Sequence, residues 1–149
     1  MKTVKLASFK IIGIAIRTSN ENGKSQQEIG ELWGNFMSKS LIDKIPNKES
    51  NSIYCLYTDY ESDHNGAYTT ILGCCVSSLD EIPEGFIGRE FTEARYQLYI
   101  SKGKLPECVG ETWLKIWESK IDRRYLCDFD VYIYKAEKPV EVETYVSIN

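Results

Sequence analysis

The chain has 149 residues, 42% of them apolar and 27% charged, which is enough to bury one core and too apolar for a disordered segment. The net charge is −4 and no basic cluster exceeds the pair Arg123-Arg124, which excludes the basic stripe of a chain that binds nucleic acid by itself. No run approaches the roughly 20 apolar residues of a membrane span, so no membrane partner is expected and a cytoplasmic location is the default.

Residues 1–19, "MKTVKLASFKIIGIAIRTS", start basic, but Lys5, Ser8 and Lys10 interrupt the apolar part. The stretch therefore reads as a first strand and not as a signal peptide. Gly13, small within an apolar run, marks a bulge or a close approach of backbone or ligand. Residues 25–44, "SQQEIGELWGNFMSKSLIDK", predict a helix. Ser25 and Glu28 have the spacing of a capping box, and Ile29, Leu32, Trp33, Phe36, Met37 and Leu41 recur on one face. Pro46-Asn47 ends it. "NSIYCLYTDYES" (51–62) and "AYTTILGCCVSS" (67–78) are two strands joined by the turn "DHNG". His64, the one histidine, falls in that turn and reads as a solvated loop residue, so a histidine-rich metal site is excluded.

A connector, "LDEIPEGFIG" (79–88), leads to the alternating stretch "REFTEARYQLYISKG" (89–103), a half-exposed strand. A second helix follows in "LPECVGETWLKIWESKI" (105–121), with Pro106 near its start and Val109, Trp113, Ile116, Trp117 and Ile121 as its stripe. "RRYLCDFDVYIYK" (123–135), a break at Lys138-Pro139 and "EVETYVSI" (141–148) complete the chain. Each half, about 1–78 and 86–149, thus has the order β-α-β-β, and Trp33 and Trp113 take similar places in the two helices. The expected fold is a single α+β domain over 1–149: two pseudo-symmetric units with antiparallel sheet, helices on one side, and a ligand cleft between the halves.

Within "CDFDVYIYK" (127–135), steps of two put Cys127, Phe129, Val131 and Ile133 on a normal core face and Asp128, Asp130, Tyr132 and Tyr134 on the other. That second face, expected to turn away from the helix, is either a solvated surface paired to Arg123 or Arg124, or the wall of a cation-binding cleft. The five cysteines (55, 74, 75, 108, 127) form no CxxC, and Cys74 and Cys75 point to opposite sides of a strand. They read as reduced core thiols. No nucleophile elbow, P-loop, dinucleotide fingerprint or zinc spacing is present, so no catalytic residue, metal or cofactor is assigned.

The stretches "IIGIAIRTSNENG" (11–23), "LWGNF" (32–36), "IYCLYTDYESDHNGAYTTILGCCV" (53–76), "LDEIPEGF" (79–86), "YISKG" (99–103), "ETWLKIWES" (111–119) and "RRYLCDFDVY" (123–132) occur in this order. The ordered set resembles the GyrI-like effector-binding domain of the SOUL-like superfamily, in its stand-alone, AraC-type form. The resemblance implies a cleft that takes bulky, hydrophobic, often cationic aromatic molecules. Relatives that carry a helix-turn-helix regulate transcription, and others inhibit gyrase or hydrolyse small molecules. A hydrolase using Asp130 as base or nucleophile, and a gyrase-type inhibitor with a protein partner, are therefore the alternatives to plain ligand capture. Where the family has "DFE-x-Y", this chain has Asp130 in place of the glutamate, one methylene shorter. The resemblance assigns the cleft to Asp130, Tyr132, Trp113, Trp33, Tyr57, Tyr68 and Tyr96, with Asp128 left between cleft and surface. The two helix tryptophans also suit a plain core stripe, and Trp117 is assigned to the core.

Overall fold

A computed structural model describes residues 2–105, 107–135 and 138–149. Strands β1 (Lys2–Leu6) and β2 (Phe9–Ser19) lead into helix α1 (Lys24–Ser38), and β3 (Ile53–Thr58) and β4 (Ala67–Val76) follow. The order repeats as β5 (Ile87–Phe91), β6 (Ala94–Ser101), α2 (Glu107–Glu118), β7 (Cys127–Lys135) and β8 (Lys138–Ser147). All eight strands form one antiparallel sheet in the order β1-β6-β8-β7-β3-β4-β2-β5. That order is unchanged when each strand is exchanged for the one four places away in the chain and the row is read backwards. A quasi-two-fold therefore passes between β3 and β7.

Two of the expected strands are each divided. Residues 1–19 are two strands, not one, with a break at Ala7-Ser8, and the alternating stretch 89–103 is broken at Thr92-Glu93 into β5 and β6. The consequence is an exchange. β1 pairs with β6 of the second repeat, and β5 pairs with β2 of the first.

The sheet is strongly curled. Phe9 on β2 and Phe129 on β7 are three strands apart in the order, yet their rings are 5.2 Å apart, well inside the spacing a flat sheet would give. The concave face holds Ile11, Leu56, Ile71, Phe91, Tyr96, Phe129 and Val131 as one cluster. Gly13 stands opposite Gly73 in the β2–β4 ladder. A Cβ on Gly13 would meet the Leu72 carbonyl oxygen at 2.3 Å, so its role is close approach of two backbones, not of a ligand.

The helices cover the opposite face. Leu32 and Phe36 of α1 pack on Ile12, Ile53, Cys55, Leu72 and Cys74, and Val109 and Ile116 are the buried residues of α2. The helical periodicity located both elements, but the predicted capping box does not form. Gly23, at φ 71°, turns the chain into the helix, which places Ser25 inside the first turn. Glu28 instead accepts a hydrogen bond from the Thr18 hydroxyl at 2.8 Å. Met37 is 50% exposed, and Leu41 belongs to a short 3-10 turn, Leu41–Lys44. The expectation for Pro106 lies outside the described residues. Pro139 is not a break but a member of β8, opposite Tyr134 where the register with β7 shifts.

Candidate functional site

The site is built on β7. Alternation sends Cys127, Phe129 and Val131 into the concave core and Asp128, Asp130 and Tyr132 to the other face. That second face is the one the helices cover, which corrects the expectation that the acids point away from them. Period-two reading separates two faces without saying which lies under a helix. Here the apolar set was claimed by the concave cluster, whose Phe9, Phe91 and Tyr96 come from distant strands.

Asp130 is 1% exposed. Its carboxylate accepts hydrogen bonds from the Thr144 hydroxyl (2.5 Å), the Trp113 indole N–H (3.1 Å to each oxygen) and the Tyr57 hydroxyl (3.2 Å). Burial pushes its pKa up to about 6, against the pull of these three donors. Around it stand aromatic rings packed edge to face. Trp113 meets Tyr57 at 5.6 Å and Trp33 meets Tyr132 at 4.8 Å. These pairs are related by the quasi-two-fold: the tryptophan of each repeat's helix lies against the tyrosine of the other repeat's central strand. Cys55 faces Asp130 in the β3–β7 register, and its thiol lies beside Trp33 as Asp130 lies beside Trp113. The thiol donates to the Tyr57 oxygen at 3.3 Å, and burial holds its pKa near 12.

A cavity of about 540 Å³ opens between α1 and α2 over this floor, within the size range of drug-like ligand pockets. Trp33, Tyr57, Tyr68, Trp113, Asp130 and Tyr132 all line it. Tyr96 does not. It is fully buried on the concave face, its hydroxyl 3.1 Å from the Cys127 sulfur and its ring edge-on to Phe129. The resemblance gives Tyr96 to the cleft, but the curl of the sheet carries it into the concave interior instead.

Asp128 is buried but does not reach the cavity. One oxygen accepts from the Ser147 backbone N–H (2.7 Å) and hydroxyl (3.1 Å), the other from Tyr60 (2.5 Å) and from Arg123 Nη2 (2.7 Å). The pairing with Arg123 is the one expected of a solvated surface, but it is internal. Sequence reasoning missed Tyr60, His64, Trp117 and Arg123 as lining residues. Trp117, expected in the core, is 41% exposed and stacks on His64 at 5.9 Å. Its spacing of four from Trp113 was the available signal, since it puts both indoles on one helix face. Among the described residues no group of His, Cys, Asp and Glu is arranged to hold a metal, and no helix is long and apolar enough to cross a membrane.

An antiparallel sheet repeated about a quasi-two-fold, with an aromatic cavity between its two helices, defines an effector-binding domain of the GyrI-like class. The chain belongs to the Cass2 family of integron-associated effector binding proteins, which it matches over residues 2–148. It is 29% identical over 147 residues, 94% of this chain and 92% of the relative, to the "Putative transcriptional regulator protein YobU" of Bacillus subtilis (strain 168). The integron cassette protein VCH_CASS2 of Vibrio cholerae is 25% identical, with a TM-score of 0.78 over 99% of this chain and 95% of that one. SAV2435, solved bound to tetraphenylphosphonium, shares the fold at a TM-score of 0.82 and 15% identity, over 99% of this chain and 93% of that one.

Proposed function

We propose that this protein captures a bulky, hydrophobic aromatic cation in the cavity between its helices, with Asp130 as the counter-charge. The observation that carries the reading is a carboxylate buried on the floor of an aromatic cavity that forms no ion pair with a described lysine or arginine. A desolvated carboxylate is costly, and an entering cation offsets that cost by Coulomb attraction in a low-dielectric site. The faces of Trp33, Trp113, Tyr57 and Tyr132 add cation–π contact and apolar area worth about 25 cal/mol per Å² buried. The complex of SAV2435 with a lipophilic cation supports the choice of ligand class.

The test is a calorimetric titration of the protein with tetraphenylphosphonium and with triphenylphosphine oxide, an aromatic of the same kind without net charge. The cation should bind and quench tryptophan fluorescence, and the neutral compound should bind at least about tenfold more weakly. Equal affinity for the two would remove Asp130 from the reading.

A further inference from the structure

Arg123 lines the same cavity as Asp130. Its side chain is 6% exposed, and Nη2 is committed to Asp128 at 2.7 Å. Among the described residues, the buried Nε and Nη1 have no hydrogen-bond partner. A guanidinium carries five N–H donors, and buried donors without acceptors are costly and uncommon. The group is also held in place. Its central carbon lies 4.3 Å from the Tyr125 ring centre and 5.8 Å from that of Trp113. Tyr125 reaches it from a left-handed backbone conformation, φ 56°, which is unfavourable for a bulky residue.

The hydrogen-bonding capacity of this arginine is incompletely answered. Asp128 is its ion-pair partner, but the same carboxylate is shared with Ser147 N–H, Ser147 hydroxyl and Tyr60 hydroxyl. The Nε–H and Nη1–H donors are left without an acceptor among the described residues. Trp113 links the two polar ends. Its indole N–H is on Asp130, and its ring lies under the guanidinium. The cavity therefore has an acidic floor and a basic wall that both touch the Trp113 indole, with His64, whose Nδ1 is likewise buried without a described partner, on its lining.

We propose that Arg123 forms a second polar subsite, which takes a carboxylate of the ligand through Nε–H and Nη1–H. The preferred ligands are then zwitterionic aromatics, with the cationic centre against Asp130 and the carboxylate against Arg123. The proposal rests on the reading of the cavity as a ligand site, and deepens it from a charge to a pattern of charges.

The test uses rhodamine B, a cationic aromatic bearing a free carboxylate, and its ethyl ester, which has the same cationic ring system without the anion. Affinities are measured by fluorescence anisotropy at pH 8. The parent protein should prefer the acid over the ester by about tenfold or more. Arg123→Lys keeps a cation for Asp128 but removes the guanidinium donors, and should reduce the preference to about twofold or less. Equal binding of acid and ester by the parent overturns the subsite, as does a full preference retained in Arg123→Lys. The parent comparison decides the matter even where the variant fails to fold. Tetraphenylphosphonium, titrated into the parent in parallel, separates the two readings. Its binding without any preference for the acid sinks the Arg123 subsite alone. A preference for the acid without its binding sinks the cation reading and leaves the subsite.

Discussion

Asp128 and Asp130 are two residues apart on one face of one strand and do opposite things. Asp130 is held by three neutral donors, with burial raising its pKa to about 6. An acid whose pKa is raised in the folded state contributes stability that is present below its ordinary value near 4. That contribution is lost as pH rises through about 6. Asp130→Asn should therefore be the more stable protein at pH 8, by up to about 2–3 kcal/mol, with the difference vanishing near pH 4. Urea unfolding of parent and variant at both pH values checks this, and an equally large gap at pH 4 would contradict it. The amide can be accommodated because the one hydroxyl that faces its NH2, Tyr57 or Thr144, can turn to accept while Trp113 and the other hydroxyl keep the remaining oxygen. The same substitution should weaken tetraphenylphosphonium binding by about 5- to 150-fold at pH 8. In the parent, affinity should fall about tenfold per pH unit below about 6, as the counter-charge is protonated. A flat pH profile from 8 to 5 in the titration would rule Asp130 out. Asp128→Asn, by contrast, leaves the Arg123 guanidinium buried without its ion-pair partner. It should cost about 3–5 kcal/mol in the same unfolding experiment, as for other broken buried ion pairs. A loss under about 1 kcal/mol would mean that the pair is not closed in solution. The sequence named both acids, because charge inside an apolar alternation is visible. It did not separate their roles, because Ser147, Thr144, Tyr60 and Trp113 reach them from elsewhere in the chain.

The elements were legible wherever a period ran long enough. Both helices and the strands at 9–19, 53–58, 67–76 and 127–135 follow from apolar spacing that tertiary packing did not contradict. The short strands β1 and β5 were not separable from their neighbours. Each is five residues long, and a two-residue break with no glycine or proline gives no local signal. Yet these two strands determine how the repeats are joined. A fragment ending at residue 78 would retain β1 without its partner β6, β2 without β5, and β3 without β7. Such a fragment should show no cooperative melting by circular dichroism, since isolated strand groups with an uncovered face are marginal. A sharp transition in the 1–78 fragment would show that the exchange contributes little. The Gly13–Gly73 pair was half legible. A glycine inside an apolar strand signals a close approach, but only the register shows that a second glycine answers it.

Across the whole molecule, burial accounts for the cysteines as it does for the acids. Cys55, Cys74, Cys75 and Cys127 are buried and Cys108 is partly exposed. Burial pushes the first, second and fourth thiols up to about 12 and Cys75 up to about 11. Iodoacetamide should accordingly label Cys108 alone in the folded protein, with all five thiols modified after denaturation without reductant. Mass spectrometry giving fewer than five adducts in urea would reveal a disulfide. What the sequence concealed most at this scale was the curl, because curvature comes from the sum of many strand-to-strand rotations and not from any one residue. The curl sent Tyr96 into one interior and left Tyr57, Tyr68 and Tyr132 in the other.

The register at the centre of the sheet has one more consequence. A cavity on a two-fold axis would receive a flat ligand equally well in two poses related by half a turn, and bind each as a mixture. Cys55 stands where symmetry would require a second Asp130, and its thiol is neutral at any ordinary pH. The duplicated architecture therefore supplies matching tryptophan–tyrosine walls on both sides but an electrical sign on one side alone. Under the proposed function, a cation that enters would have a single seat, and the rest of the molecule would be oriented by it.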